Sequence, residues 1–200
     1  MKGLILSGGA GVRLRPVTHT SAKQLVPIAN TPILFYGIKR LVEAGVTQIG
    51  IIIGETGDEI RRAVGNGEKW GAKITYRPQE KPLGLAHCVL VAQEFLTDDD
   101  FIMYLGDNML EQDLSDIVSR FQHDRTSRPL SCRVLLKKVA DPQSFGVAIL
   151  DCEGSITELI EKPKNPPSDL ALVGVYLFTP AIHQAVATLK PSGRGELEIT

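Results

Sequence analysis

The chain has 200 residues, 43% of them hydrophobic and 22% charged, proportions that suit a globular protein with room for a sizeable core. Its formal net charge of −1 excludes a chain-wide electrostatic grip on nucleic acid or on an anionic membrane. No apolar run approaches the ~20 residues of a membrane span, so a site for any polyanion has to be built locally, from a few placed cations and backbone amides.

The apolar stretch from Met1 to Ser7 is too short for a secretory signal and runs at once into glycines and Arg13. Leu4-Ile5-Leu6 reads instead as a first strand buried on both faces. After a polar loop, Thr31 is expected as an N-cap and Pro32 as the first residue of a helix. Leu34, Ile38, Leu41 and Val42 recur there at helical spacing until Gly45 stops it. There follow a buried strand over 49–53, a short helix from about Asp58 carrying Ile60 and Val64, and a third strand over 74–76. A long helix is predicted over 85–95, then a fourth strand over 101–105 that ends in Gly106-Asp107-Asn108. This βαβαβαβ order predicts an α/β fold of three layers, a Rossmann-like, open and mostly parallel mixed sheet with helices on both faces. Beyond a helix over 114–123 the texture changes to strands over 132–138, 146–150 and 156–160, with Asp151-Cys152-Glu153-Gly154 as a hairpin loop. A strand over 172–178 and a helix over 180–189 complete the pattern. The cysteines (Cys88, Cys132 and Cys152) show neither metal-ligand spacing nor a disulfide framework, which fits free thiols in a reducing cytoplasm.

Chemistry concentrates first in Ser7-Gly8-Gly9-Ala10-Gly11-Val12-Arg13-Leu14-Arg15-Pro16. Glycines directly after a buried strand let backbone N–H groups approach phosphate closely. The dinucleotide fingerprint lacks its third glycine, because Leu14 stands there, and no Gly-Lys-Ser/Thr follows to make a P-loop. Arg13, and Lys23 in Ser21-Ala22-Lys23-Gln24-Leu25-Val26-Pro27, lie in the crossover on the side where such sheets bind ligands. A transferring phosphoryl group needs cations of this kind.

These residues, Gly8 to Pro16 with Lys23 to Pro27, resemble the signature of the sugar-1-phosphate nucleotidyltransferases. Within that family the chain is similar to the longer form of the glucose-1-phosphate thymidylyltransferases, and the resemblance runs over its whole length. It implies a nucleotide half at about 1–125 and a sugar-phosphate half at about 126–200 of one catalytic domain. It further implies that Leu6, Gly8, Gly9, Ala10 and Gly11 wrap the nucleotide, with Gln24 and Gly106 beside them. Arg13 and Lys23 would contact the phosphates at the reaction centre, and Gln79 with Gly84 and Leu85 would read the base. Asp107, at the carboxyl end of a strand, matches the family's first Mg²⁺ ligand. His87 reads as a helix residue near the base pocket. Gly146, Glu161, Lys162, Val173 and Tyr176 match the sugar-phosphate segments, Lys162 facing the phosphate.

The reaction so implied is an in-line attack by a sugar 1-phosphate oxygen on the α-phosphorus of a nucleoside triphosphate, dTTP or UTP, with release of pyrophosphate. The nucleophile is already anionic, so alignment and charge neutralisation carry catalysis. The resemblance also implies a homo-oligomer, a motif that continues past Thr200, and a second metal-binding aspartate downstream of it. A uridylyltransferase of the same family and a noncatalytic regulatory module with this fold remain open as alternatives.

Overall fold

The computed structural model describes residues 1–9, 11, 14–16, 18 and 21–200. The first strand, β1 (Lys2–Ser7), lies between parallel neighbours and is buried over its last five residues. It is followed by two short antiparallel strands, β2 (Pro27–Ile28) and β3 (Thr31–Pro32), and by helix α1 (Ile33–Glu43). Then come β4 (Gln48–Ile53), α2 (Gly57–Val64), β5 (Lys73–Pro78), α3 (Leu85–Val91), α4 (Gln93–Leu96) and β6 (Phe101–Leu105). The second half holds α5 (Leu114–Ser127), β7 (Cys132–Lys138), β8 (Gly146–Leu150), β9 (Ile156–Glu161), β10 (Leu170–Phe178) and α6 (Ala181–Ala187).

One sheet runs in the order β5-β4-β1-β6-β10-β8-β9, with β7 paired to β10. The pairs β4–β5, β1–β4 and β1–β6 are parallel, and every pair involving β10 or β9 is antiparallel. The mixed sheet with helices on both faces is therefore what the strand–helix order predicts. Alternation along β1 feeds two cores: Ile5 joins a cluster with Leu34, Ile38 and Leu41 of α1 and Phe121 of α5. Leu4 and Leu6 join the other, with Val89 of α3, Leu96 of α4 and Val186 of α6. Among the described residues, no helix is long and apolar enough to cross a membrane.

Three local expectations give way to tertiary structure. Thr31 and Pro32 do not cap α1 as N-cap and N1; they form β3, and Pro32, with ψ 135°, is itself the N-cap. The cause is a tight turn in which Ala29 and Asn30 both take positive φ, 48° and 64°, folding the chain back so that Thr31 pairs with Ile28. The helix expected over 85–95 breaks at Ala92 into α3 and α4. Its last turn is redirected because Phe95 lies over Gly50 while the carbonyls of Phe95 and Leu96 accept from Lys2 Nζ at 2.7 and 3.3 Å. The helix begun at Leu114 runs four residues further than its apolar spacing predicts, to Ser127, starting from an Asp113 carboxylate that accepts from Ser115 N at 2.9 Å.

Strand β10 joins the two halves, and it bends between Leu172 and Tyr176, where its register with β7 shifts. Gly174 sits in that bulge at φ +74°, and a Cβ there would collide with Leu105 Cδ1 and come within 2.8 Å of Asn108 Nδ2. A Gly174→Ala variant combines a left-handed backbone cost with overpacking, and should lose about 2–4 kcal/mol of stability. Urea unfolding should show a lower midpoint at unchanged slope.

Candidate functional site

Because β1, β4, β5 and β6 run parallel, their carboxyl ends open on one edge, and the residues that follow them meet there. Gly8 follows β1 and Gly54 follows β4. A Cβ on Gly54 would stand 2.6 Å from the Gly8 carbonyl, and one on Gly8 would stand 2.9 Å from Gln79 Oε1. Two backbones can approach this closely only without side chains. A Cβ on Gly9 would lie 3.3 and 3.4 Å from Cε and Nζ of Lys23, so the lysine runs along the glycine turn.

Lys23 opens a short 3₁₀ turn over Lys23–Leu25. The turn is fixed from outside by Glu59 of α2, whose carboxylate accepts from the buried Ala22 N–H at 3.1 Å. Lys23 Nζ reaches Asp107 Oδ2 at 2.6 Å, at the end of β6. Both side chains are partly exposed, 23% and 40%, so the pair contributes little stability. Its content is a cation and a carboxylate held together at the mouth of the edge. Asp107 is framed by Asn108, whose amide donates to Val173 O, and by the Tyr104 hydroxyl, which donates to Asn108 O at 3.2 Å. Burial pushes the Tyr104 hydroxyl up to about 12, so it remains a donor through neutral pH. Gln24 and Ser7 are fully buried beside Gly106, and neither Ser7 Oγ nor either amide atom of Gln24 has a partner among the described residues.

Gln79 follows β5, its N–H donating to Ile53 O at 2.8 Å. Its amide nitrogen lies 2.9 Å from His87 Nδ1 and 3.5 Å from Gly84 O. Leu85 begins α3 directly after Gly84. Segment 196–200 closes against this corner: Leu197 N donates to Leu83 O at 2.7 Å and Leu197 O accepts from Ala86 N at 3.0 Å.

The second group surrounds Glu161 at the end of β9. Its Oε1 pairs with Lys162 Nζ at 2.9 Å and Arg194 Nη2 at 3.2 Å. Its Oε2 accepts from Thr200 Oγ1 at 3.4 Å and would stand 3.1 Å from a Cβ on Gly146. Lys162 holds φ +44°, with its N–H donating to Phe145 O at 3.1 Å. Buried Tyr176 has its hydroxyl pKa raised, first by burial and then by the Glu161 carboxylate. Arg194 also pairs with Glu198 at 2.8 Å and Glu196 at 3.7 Å, and the Glu198 hydrogen bond, the largest cause, raises its pKa. The Asn108–Val173 bond ties this antiparallel side to the turn carrying Asp107.

A glycine turn beside a lysine–carboxylate pair, tied through Asn108 and Val173 to the side that carries a second cation cluster, suits two phosphorylated ligands. Comparison with known proteins decides the family, because the model described as nucleotidyl transferase matches residues 2–200. The chain belongs to the nucleotidyl transferase family. It is 58% identical to a glucose-1-phosphate thymidylyltransferase of Streptomyces antibioticus over all of this chain and 55% of that protein. It is 37% identical to the UTP–glucose-1-phosphate uridylyltransferase AglF of Haloferax volcanii, over the whole chain and 81% of that protein. A crystal structure of a Bacillus anthracis protein assigned as a glucose-1-phosphate thymidylyltransferase, in complex with sucrose, superposes with TM-score 0.91 at 37% identity, covering 100% of this chain and 80% of that one. The chain spans about half the length of the Streptomyces relative.

Among the nucleotidyl transferase residues expected from sequence, the structure brings together Leu6, Gly8, Gly9, Lys23, Gln79, Gly106 and Asp107 at the carboxyl edge. Gly11 packs behind them, a Cβ there standing 3.0 Å from Lys23 Cβ. Gly146, Glu161 and Lys162 meet as the second cluster, Tyr176 lies behind them in the core, and Val173 contributes its carbonyl to Asn108. Arg13 and Ala10 lie outside the described residues. Sequence reasoning missed Arg194, although a lone arginine between Gly193 and Gly195, just ahead of Glu196 and Glu198, is a visible signal. It also missed Glu59, which nothing local marks.

Cys88, beside Gln79, has its thiol pushed up to about 12, burial being the main cause. A raised pKa leaves it protonated and unreactive at pH 8. Thiol labelling of the native protein at pH 8 should modify exposed Cys152 and spare Cys88, which becomes reactive only on unfolding.

Proposed function

We propose that this chain forms the catalytic core of an enzyme that transfers a thymidylyl group from dTTP to glucose 1-phosphate, releasing pyrophosphate. The observation that carries the reading is the pair of cation clusters, Lys23–Asp107 after the glycine turn and Lys162/Arg194 on Glu161, on two sides tied together by the Asn108–Val173 bond. The names of its relatives give the substrates their order of preference. The uridylyltransferase relative supports UTP as the second reading of the base.

In the reaction, an oxygen of the sugar 1-phosphate forms a bond to the α-phosphorus, and the bond from that phosphorus to the bridging oxygen of the β-phosphate breaks. Pyrophosphate leaves with the electron pair. The attacking oxygen carries its own charge, so no side chain has to remove a proton. Lys23 would neutralise the nucleotide phosphates, while Lys162 and Arg194 would seat the sugar phosphate. Glu161, held between those two cations, would turn its carboxylate oxygens to sugar hydroxyls. Each cation is already positioned by a carboxylate, so little reorganisation is needed when phosphate arrives.

Asp107 fits a Mg²⁺ ion by the chemistry of its donors: one hard carboxylate at a strand end where triphosphate would lie. Among the described residues no group of three or more metal-ligating side chains gathers. Mg²⁺ commonly takes one or two carboxylates and completes its shell from water and substrate phosphates. When bound, the ion would offset negative charge on the phosphates.

Pyrophosphate release with glucose 1-phosphate and Mg²⁺ should be fastest with dTTP, then UTP, and slow with ATP and GTP; equal rates with all four would overturn the reading. Chelation with EDTA should abolish release, and Asp107→Asn should raise the Mg²⁺ concentration for half-maximal rate by about tenfold, ~1.4 kcal/mol. Lys162→Ala and Arg194→Ala should each raise KM for glucose 1-phosphate at least about tenfold while leaving KM for dTTP within about twofold. Equal rises in both constants would remove these residues from the sugar-phosphate side.

A further inference from the structure

Arg194 stands between Gly193 and Gly195, where a Cβ on either glycine would meet nothing within 4 Å. A long side chain on so lightly packed a backbone has many conformers to lose before it can bind anything. What holds this one is Glu198. Its Oε1 accepts from Arg194 Nη2 at 2.8 Å, from Arg194 Nε at 3.3 Å and from Ser192 Oγ at 2.8 Å. Ser192 Oγ in turn accepts from the Arg194 N–H at 3.2 Å, so one carboxylate steadies the arginine at both ends. Glu198 is itself set by its neighbours. Leu197 N and O are bonded to Leu83 and Ala86, and Leu197 and Ile199 pack on the core that holds α3. The result aims Arg194 Nη2 at Glu161 Oε1, 3.2 Å away, beside Lys162.

As a surface ion pair the contact contributes little stability, since the Arg194 side chain is 42% exposed. As a neighbour of a phosphate site its charge has the wrong sign, because a carboxylate repels an incoming anion. We propose that Glu198 is a positioning residue that holds the Arg194 guanidinium toward Glu161 and Lys162, so that the arginine meets the phosphate of the sugar 1-phosphate already ordered. The inference rests on the sugar-phosphate reading given above and adds to it the residue through which Arg194 is placed. It requires a carboxylate to assist the binding of an anion, which charge alone forbids and a smaller ordering cost allows. Glu196 supplies the contrast. Its Oε2 lies 3.7 Å from the same Nη2, too far for a hydrogen bond. It brings the same charge to the same guanidinium without fixing it.

The test is steady-state kinetics of pyrophosphate release, with KM for glucose 1-phosphate and for dTTP measured separately and the melting of each variant recorded. Glu198→Ala should raise KM for glucose 1-phosphate at least about fivefold and leave KM for dTTP within about twofold. Glu198→Gln loses the same charge but keeps an oxygen for Arg194 and Ser192, and should stay within about twofold of wild type. Glu196→Gln should leave KM for glucose 1-phosphate unchanged or lower it. In an Arg194→Ala background, Glu198→Ala should add nothing, because it acts through the guanidinium. A Glu198→Ala protein that melts like wild type with KM for glucose 1-phosphate unchanged or lowered would overturn the proposal. So would equal effects of Gln and Ala at this position, a rise of the same size in Glu196→Gln, or a further rise in the Arg194→Ala background. Should Glu198→Ala melt well below wild type, Glu198→Asp decides: it keeps the charge but draws the carboxylate back from Arg194, and an unchanged KM for glucose 1-phosphate there overturns the proposal. An effect of Arg194→Ala without one at Glu198 would remove this inference alone, whereas no effect of Arg194→Ala would remove the sugar-phosphate reading of Arg194 with it.

Discussion

Strand β1 is hydrogen-bonded in parallel to β4 on one side and β6 on the other, and the geometry of the site follows from that arrangement. Parallel strands deliver their carboxyl ends to a common edge, so Gly8, Gly54 and Asp107 arrive together although nearly a hundred residues separate the first from the last. The strand can hold this central place because Leu4, Ile5 and Leu6 are apolar on both faces and each face meets its own helical layer. Burying three such side chains stabilises the fold by several kcal/mol. The glycines at the strand ends add no such burial. They supply clearance, and the close approach of Gly54 to the Gly8 carbonyl shows where it is used.

The antiparallel half is tied to this edge through β10. Its pairing with β6 carries the sheet across, and the bulge at Gly174 turns its first residues toward Asn108. The second cation cluster is built from a β9 end and a later loop, with Glu161 as the shared anion for Lys162 and Arg194. Electrostatics there are local: with a net charge of −1 the molecule has no general attraction for polyanions. Any phosphate has to be recognised by placed cations and backbone amides, not by overall charge.

Much of this was legible from the residues. The run Leu4-Ile5-Leu6 before glycines, the β-branched 49–53 and the aspartate after 101–105 predict a parallel sheet and its functional edge without any relative. The second cluster was legible only through the family resemblance, since Glu161-Lys162 before Pro163 is otherwise an ordinary strand end. What stayed hidden depends on contacts between distant segments. The break at Ala92 answers to Gly50 and Lys2, and Ala29 is not a residue that announces a positive φ. The bond from Ala22 to Glu59 joins residues 37 apart. His87 was placed near the base pocket from sequence, but its grip on the Gln79 amide required the geometry of α3 against the end of β5.

Segment 196–200 works as a ruler between the two corners. Leu197 is hydrogen-bonded to the 83–86 turn, and Leu197 and Ile199 pack into the core shared with α3. The intervening side chains go the other way, Glu198 to Arg194 and Ser192, and Thr200 to Glu161. This period of two means that a slip of a single residue would trade the apolar pair for the polar pair, placing a carboxylate in the hydrophobic layer and leucine among the cations. The distance from the Gly84 corner to the Glu161 corner is thus encoded as a fixed number of peptide units. In a protein assembled along this line, that stretch tolerates exchange of side chains far better than any change in its length.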